Sequence, residues 1–133
     1  MDVYSTLRAK SSLVPVARTA SANGTGVDRN DNGLGYQDAM VVVHTGAITD
    51  GTHTIEVQDS DDNASFAAVA DAYLLGTEPV IASTDDNKTY DIGYTGSKRY
   101  LRAIVTAAGT TTGGVYGATV ILANPRVAPA VHS

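Results

Sequence analysis

Residues 87–108 read NKTYDIGYTGSKRYLRAIVTAA. Tyr90, Ile92 and Tyr94 alternate with Asp91 and Gly93, the two-residue period of a strand with unlike faces. Thr95-Gly96-Ser97 interrupts the run as a turn. Alternation then resumes, with Leu101, Ala103 and Val105 on one face and Tyr100, Arg102 and Ile104 on the other. The first set belongs to a core. The second forms an amphipathic face that a partner can cover. The stretch predicts an antiparallel hairpin, and an all-β reading follows outward from it.

On its C-terminal side, residues 109–114 (GTTTGG) turn the chain into VYGATVILA (115–123), where Tyr116, Ala118, Val120 and Leu122 share a face. This strand is expected beside residues 100–107. On its N-terminal side, residues 36–46 (YQDAMVVVHTG) carry an apolar run that predicts a central strand. Asp50-Gly51 then turns the chain into THTIEVQD (52–59), in which Ile55 and Val57 point inward. Those two strands are expected to pair directly. Residues 13–20 (LVPVARTA) form a further strand whose Pro15 suits a sheet edge. Residues 21–35 are a long polar loop, residues 66–76 a strand or single helical turn, and residues 79–83 a short strand. Seven to nine short strands with regular turns and no alternation with helices predict an antiparallel β-sandwich or barrel, with jelly-roll or immunoglobulin-like connections. Residues 13–123 make up that domain. Residues 1–12 read as an N-terminal arm, and residues 124–133, with Pro125 and Pro129, as a C-terminal tail denied a ladder.

Composition bounds the function. A chain of 133 residues is long enough for one self-supporting core. It contains no Cys, so disulfide staples, thiolate zinc sites and cysteine nucleophiles are excluded. Net charge is −5, which disfavours nucleic acid; Lys98, Arg99 and Arg102 are the one dense basic cluster. No apolar run approaches the ~20 residues of a membrane-spanning helix, and the first ten residues lack the apolar core of a secretion signal.

No catalytic constellation emerges. G-x-S-x-G, P-loop and dinucleotide fingerprints are absent. Residues 28–33 (DRNDNG) match the first half of an EF-hand loop, but its twelfth position is Ala39 rather than a bidentate Glu. Asp59, Asp61, Asp62 and Asn63 crowd one turn and read as a solvated acidic loop. His44 and His53 are placed to face each other across a hairpin, which is two ligands where a metal needs more. No enzyme activity, cofactor or metal is therefore expected.

Three stretches together resemble small virion proteins of tailed bacteriophages and prophages: residues 46–59 with the following SDDN (TIEVQDSDDN), YTGSKRYLR, and the end GATVILANPRVAP. The resemblance spans roughly residues 40–130. It implies a structural protein of the particle that decorates the outside of the head, binding the major capsid protein and sister copies of itself as a cement. On that expectation the protein is made in the host cytoplasm and ends on the capsid surface. Tyr4, Leu7, Val14 and Val127 are the expected apolar anchors on the arms, and Tyr100 and Arg102 the expected contact face. Arms order only where they gain contacts, because each residue ordered costs about 1–2 kcal/mol of backbone entropy. Other readings of the same residues are a neck or tail completion protein and a carbohydrate-binding β module.

Overall fold

The computed structural model describes residues 2–132. Its strands in chain order are β1 (Leu7–Arg18), β2 (Ala22–Asn23), β3 (Val27–Asp28), β4 (Tyr36–Ile48), β5 (Thr52–Ser60), β6 (Ala67–Ala68), β7 (Leu74–Leu75), β8 (Val80–Ile81), β9 (Thr89–Tyr94), β10 (Tyr100–Ala108) and β11 (Gly114–Pro125). Single 3-10 turns at Asp31–Gly33 and Asp71–Tyr73 are the only helical pieces among the described residues. The strands form two antiparallel sheets, one ordered β1-β11-β4-β9-β7, the other built on β10 and β5 with β2, β3, β6 and β8 at its margins. The fold is an all-β sandwich, as the alternating pattern predicts.

The inward faces are those read from the sequence. Leu101, Ala103 and Val105 of β10, Ile55 and Val57 of β5, Ile92 and Tyr94 of β9, and Tyr116, Ala118, Val120 and Leu122 of β11 are all buried. Small and β-branched side chains dominate this layer, which suits two sheets packed about 10 Å apart. The central place of β4 and the edge place of β1 also match expectation.

Strand pairing differs from the sequence reading. β9 lies in the first sheet against β4, with Ala39 opposite Tyr94 and His44 opposite Thr89. β10 lies in the second, paired with β5 from Tyr100 opposite Ser60 to Ala108 opposite Thr52. The turn at residues 95–99 therefore carries the chain from one sheet to the other and is an arch, not a hairpin. The same holds for the link from β4 to β5 and for the link from β10 to β11, whose partners are β4 and β1. A hairpin and an arch both need turn residues and alternation, and both leave the same side chains pointing inward. Consecutive strands that alternate between sheets make the connections jelly-roll-like. His44 and His53 accordingly sit on different sheets, His44 exposed and His53 fully buried.

The termini also depart from expectation. Residues 7–12, read as part of an arm, lie in β1, paired with β11 from Leu7 opposite Ala123. Pro125 ends β11 opposite Tyr36. Beyond it, Arg126 N–H donates to the Gly35 carbonyl, Val127 N–H to Leu34, and Ala130 N–H to Ser5. The His132 ring stacks on Tyr4 with centroids 3.8 Å apart. Both ends are thus folded back onto the body and onto each other. Proline removes donors only at its own positions, and the intervening amides found carbonyls close by.

Two polar devices hold the arches. The Asp50 carboxylate accepts from Thr111 N–H at 3.0 Å and Gly113 N–H at 2.7 Å, as well as from Thr112, pinning the β4–β5 arch to the β10–β11 arch. Those amides hold its carboxyl below the ordinary value of 3.8. Below them, buried His53 presents Nε2 to the Asp50 carbonyl at 3.1 Å and Nδ1 to the Tyr116 hydroxyl at 2.9 Å. A carbonyl only accepts, so Nε2 carries a proton, and in the neutral ring Nδ1 accepts from the Tyr116 hydroxyl. Burial pushes the Tyr116 hydroxyl up to about 12.

The acid response follows. A carboxyl with a depressed folded value stabilises the fold above its unfolded value, and that stability fades as pH falls. Asp28, held down chiefly by Arg99, and Asp62, held down chiefly by the Ser65 and Ala64 amides, act in the same direction as Asp50. Glu78 is pushed up by burial and opposes them. Asp50→Asn should lower the melting temperature at pH 7 and flatten its decline between about pH 5 and pH 2. Melting curves across that range test this; an unchanged slope would exclude Asp50 as a contributor.

Candidate functional site

The expected contact residues fall in three separate places. Tyr4 and Val127 are exposed at the end of the sandwich where the termini meet, with Leu7 half-buried nearby on β1. Val14 is exposed farther along β1, towards its other end. Tyr100 and Arg102 lie on the outer face of β10 and are half-covered by their own neighbours. The Arg99 guanidinium sits 5.1 Å from the Tyr100 ring. Arg102 lies 4.0 Å over Phe66 and donates twice to Gln58 Oε1, at 3.0 and 2.7 Å. That outer face is amphipathic as read, and its cation is engaged within the molecule.

Exposed apolar residues mark the two long sides of the sandwich. Val14 and Val16 stand on β1, one edge of the first sheet, and are 59% and 44% exposed. Tyr73 and Leu75 stand at the opposite edge, on and beside β7, with Val80 of β8 on the same flank; Leu75 is 64% exposed. Four inter-strand steps separate these edges, about 19 Å at 4.8 Å each. The β1 edge is also defended against strand addition. Pro15 offers no donor, Arg18 Nη2 caps the Val14 carbonyl, and Thr25 N–H takes the Ser12 carbonyl at 2.7 Å. What is left on that side is side-chain surface rather than open backbone.

A cleft of about 640 Å³ opens at the end where the termini meet. Its walls include Arg29, Lys98, Arg99 and Arg126, four of the chain's nine basic residues. Three strand ends bring them together: the loop after β3, the β9–β10 arch, and the segment after β11. Arg29 is held by backbone carbonyls: Nη1 donates to Lys98 at 2.8 Å and Nη2 to Gln37 at 2.6 Å, while its guanidinium lies 5.4 Å from the Tyr94 ring. Tyr94 in turn donates to Asp59 at 2.7 Å and accepts the Lys98 amide at 3.1 Å, and its hydroxyl is pushed up to about 12 by burial and by Asp59. Arg99 makes a two-pronged pair with Asp28, both contacts 2.8 Å. Lys98 pairs with Asp61 at 2.6 Å. Arg126 lies across Gly35, and its side chain makes no hydrogen bond or ion pair among the described residues. Asp38 is the carboxylate of the wall and accepts from Asn124.

Sequence reading found Lys98 and Arg99 but not Arg29 or Arg126, which lie far off in the chain. Their convergence depends on the pairing of Tyr36 with Pro125, which no local pattern encodes. The carboxylates once weighed for cations are engaged elsewhere. Asp31 pairs with Lys10 at 2.9 Å, and Asp62 caps the amides of Ala64 and Ser65, each at 2.9 Å. Among the described residues, no three His, Cys, Asp or Glu side chains gather as a metal would need. No helix among them is long and apolar enough to cross a membrane.

No protein-family profile matches the chain, and no curated protein does. Among solved structures it is similar to PirA, at 13% identity and a TM-score of 0.36, over 93% of this chain and 96% of the other. A likeness at that level says nothing of what this chain binds.

Proposed function

We propose that this chain is a structural protein of a tailed-phage particle that binds the outer capsid lattice and stabilises the head. The resemblance of its β5, β9–β10 and β11 segments to small phage virion proteins supplies the class. The observation that carries the mode of action is the pair of apolar flanks on opposite edges of one rigid sheet. A body with a sticky patch on each long side can bridge two neighbours, the major capsid protein on one flank and a capsomer or sister copy on the other. Many such weak contacts on a lattice act together through effective concentration.

The grip in this reading is rigid, because the ends expected to reach out are fastened to the body. Removing residues 1–12 would delete half of β1 and the Ser12 hydrogen bonds, so truncation tests folding rather than docking. Single charged substitutions on each flank are the appropriate test. Val14→Asp and Leu75→Asp should each leave the melting temperature within a few degrees, since both side chains are exposed. Each should weaken co-sedimentation with undecorated heads of the phage that encodes the chain by at least about tenfold, an apolar anchor being worth more than 1.4 kcal/mol. Wild-type binding by both variants would sink the clamp. Quantitative mass spectrometry of virions should count hundreds of copies; a count near a single ring of about six or twelve would favour the neck instead.

A further inference from the structure

The structure assigns a second interaction site, independent of the lattice reading. We infer that the cleft between Arg29, Lys98 and Arg126 binds the carboxylate side chains of an acidic protein segment. Three observations carry this. First, basic side chains outnumber acidic ones on the cleft wall, with Asp38 its one carboxylate. Arg29 is neutralised only by carbonyl dipoles, and Arg126 makes no ion pair among the described residues. Second, one arginine is held ready. Arg29 is clamped by two short bonds and the Tyr94 ring, so it loses little side-chain freedom when a ligand arrives, while exposed Arg126 is free to close on that ligand. A planar guanidinium presents paired donors that match a carboxylate. Third, the opening of about 640 Å³ has room for two or three side chains.

Charge also selects among anions. The chain carries −5 overall, and Asp28, Asp38 and Asp61 flank the cleft. A phosphate dianion meets twice the repulsion of a single carboxylate at each of those groups and gains twice the attraction to the arginines, so titration with both probes separates the two. A nucleic acid would meet that repulsion along the whole molecule. A short Glu- or Asp-bearing segment places one charge at a time between the arginines and keeps the rest of its chain outside.

The test is titration of the full chain, followed by amide chemical shifts, with a blocked tetraglutamate peptide and, separately, with inorganic phosphate. The peptide should move the amides of Gly35, Gly96 and Ser97, and its affinity should fall as salt is raised through the physiological range. Arg126→Ala should weaken it about tenfold and Arg126→Glu abolish it, with the melting temperature unchanged because that side chain supports nothing else. Shifts centred elsewhere, peptide affinity indifferent to Arg126→Ala, or phosphate saturating as readily as the peptide would each overturn the assignment. Head binding is unaffected on any of these outcomes, so this result and the flank result are read separately.

Discussion

Gly24→Ala is expected to cost about 3 kcal/mol or more and to lower the melting temperature by roughly 10 °C. A methyl group at Gly24 would stand 2.2 Å from the Ala103 carbonyl oxygen and 2.4 Å from Ser12 Oγ. Neither can retreat, because these atoms form the staple that closes one side of the sandwich. Gly24 N–H donates to Ala103, and Thr25 N–H to Ser12. The Ser12 hydroxyl donates to the Thr25 carbonyl at 2.9 Å and accepts the buried Ala103 amide at 3.0 Å. One serine thus ties β1 of the first sheet to β10 of the second. Ser12→Ala removes the hydroxyl without adding bulk and should cost about 1–3 kcal/mol, the penalty of an unmet buried amide. Denaturant melts of both variants test the staple, with Gly24→Ala the worse. Near-wild-type stability of either would mean that the two sheets are held together by core packing alone.

Gly113→Ala should be more damaging, of order 4 kcal/mol, which removes most of the stability of a domain at the low end of the usual range of about 5–15 kcal/mol and should cut the soluble yield at 37 °C. The residue has φ +79°, which alone costs a non-glycine residue about 1–2 kcal/mol. The added methyl would also fall 1.8 Å from the Arg18 carbonyl oxygen. Escape would pull the loop away from Asp50, whose carboxylate takes the Gly113 amide, and from Ile48, which abuts Gly114. Soluble yield and hydrogen exchange of the Thr111–Gly113 amides provide the readout. Gly109, which also has positive φ but nothing within 4 Å, is the control: Gly109→Ala should show the conformational cost alone.

What was legible in the sequence was the inward face of each strand. Burial is a property of a residue and its second neighbours, so Leu101, Ala103 and Val105 announce themselves. Pairing was not legible, because a ladder joins residues that no local pattern connects. One usable signal was strand length. The long strands β1 and β4 each pair with the long β11, and the nine-residue β5 and β10 pair with each other. Matching lengths would have argued for arches at residues 95–99 and 109–113. The fastening of the tail is not legible locally, because Pro125 and Pro129 remove only their own donors and Arg126, Val127 and Ala130 still have amides to give. Tyr4, Val14 and Val127, read as apolar anchors, are exposed. Arg29 and Arg126 became a site only through the topology that collects them.

The seating of β11 between β1 and β4 governs the order in which this protein can be made. Synthesis delivers both strands that flank β11, β1 and β4, before β11 itself. A nascent chain stopped short of Gly114 can pair β4 with β9 and β9 with β7, but β1 lacks its ladder partner. The first sheet closes only when β11 is delivered and joins β1 to β4.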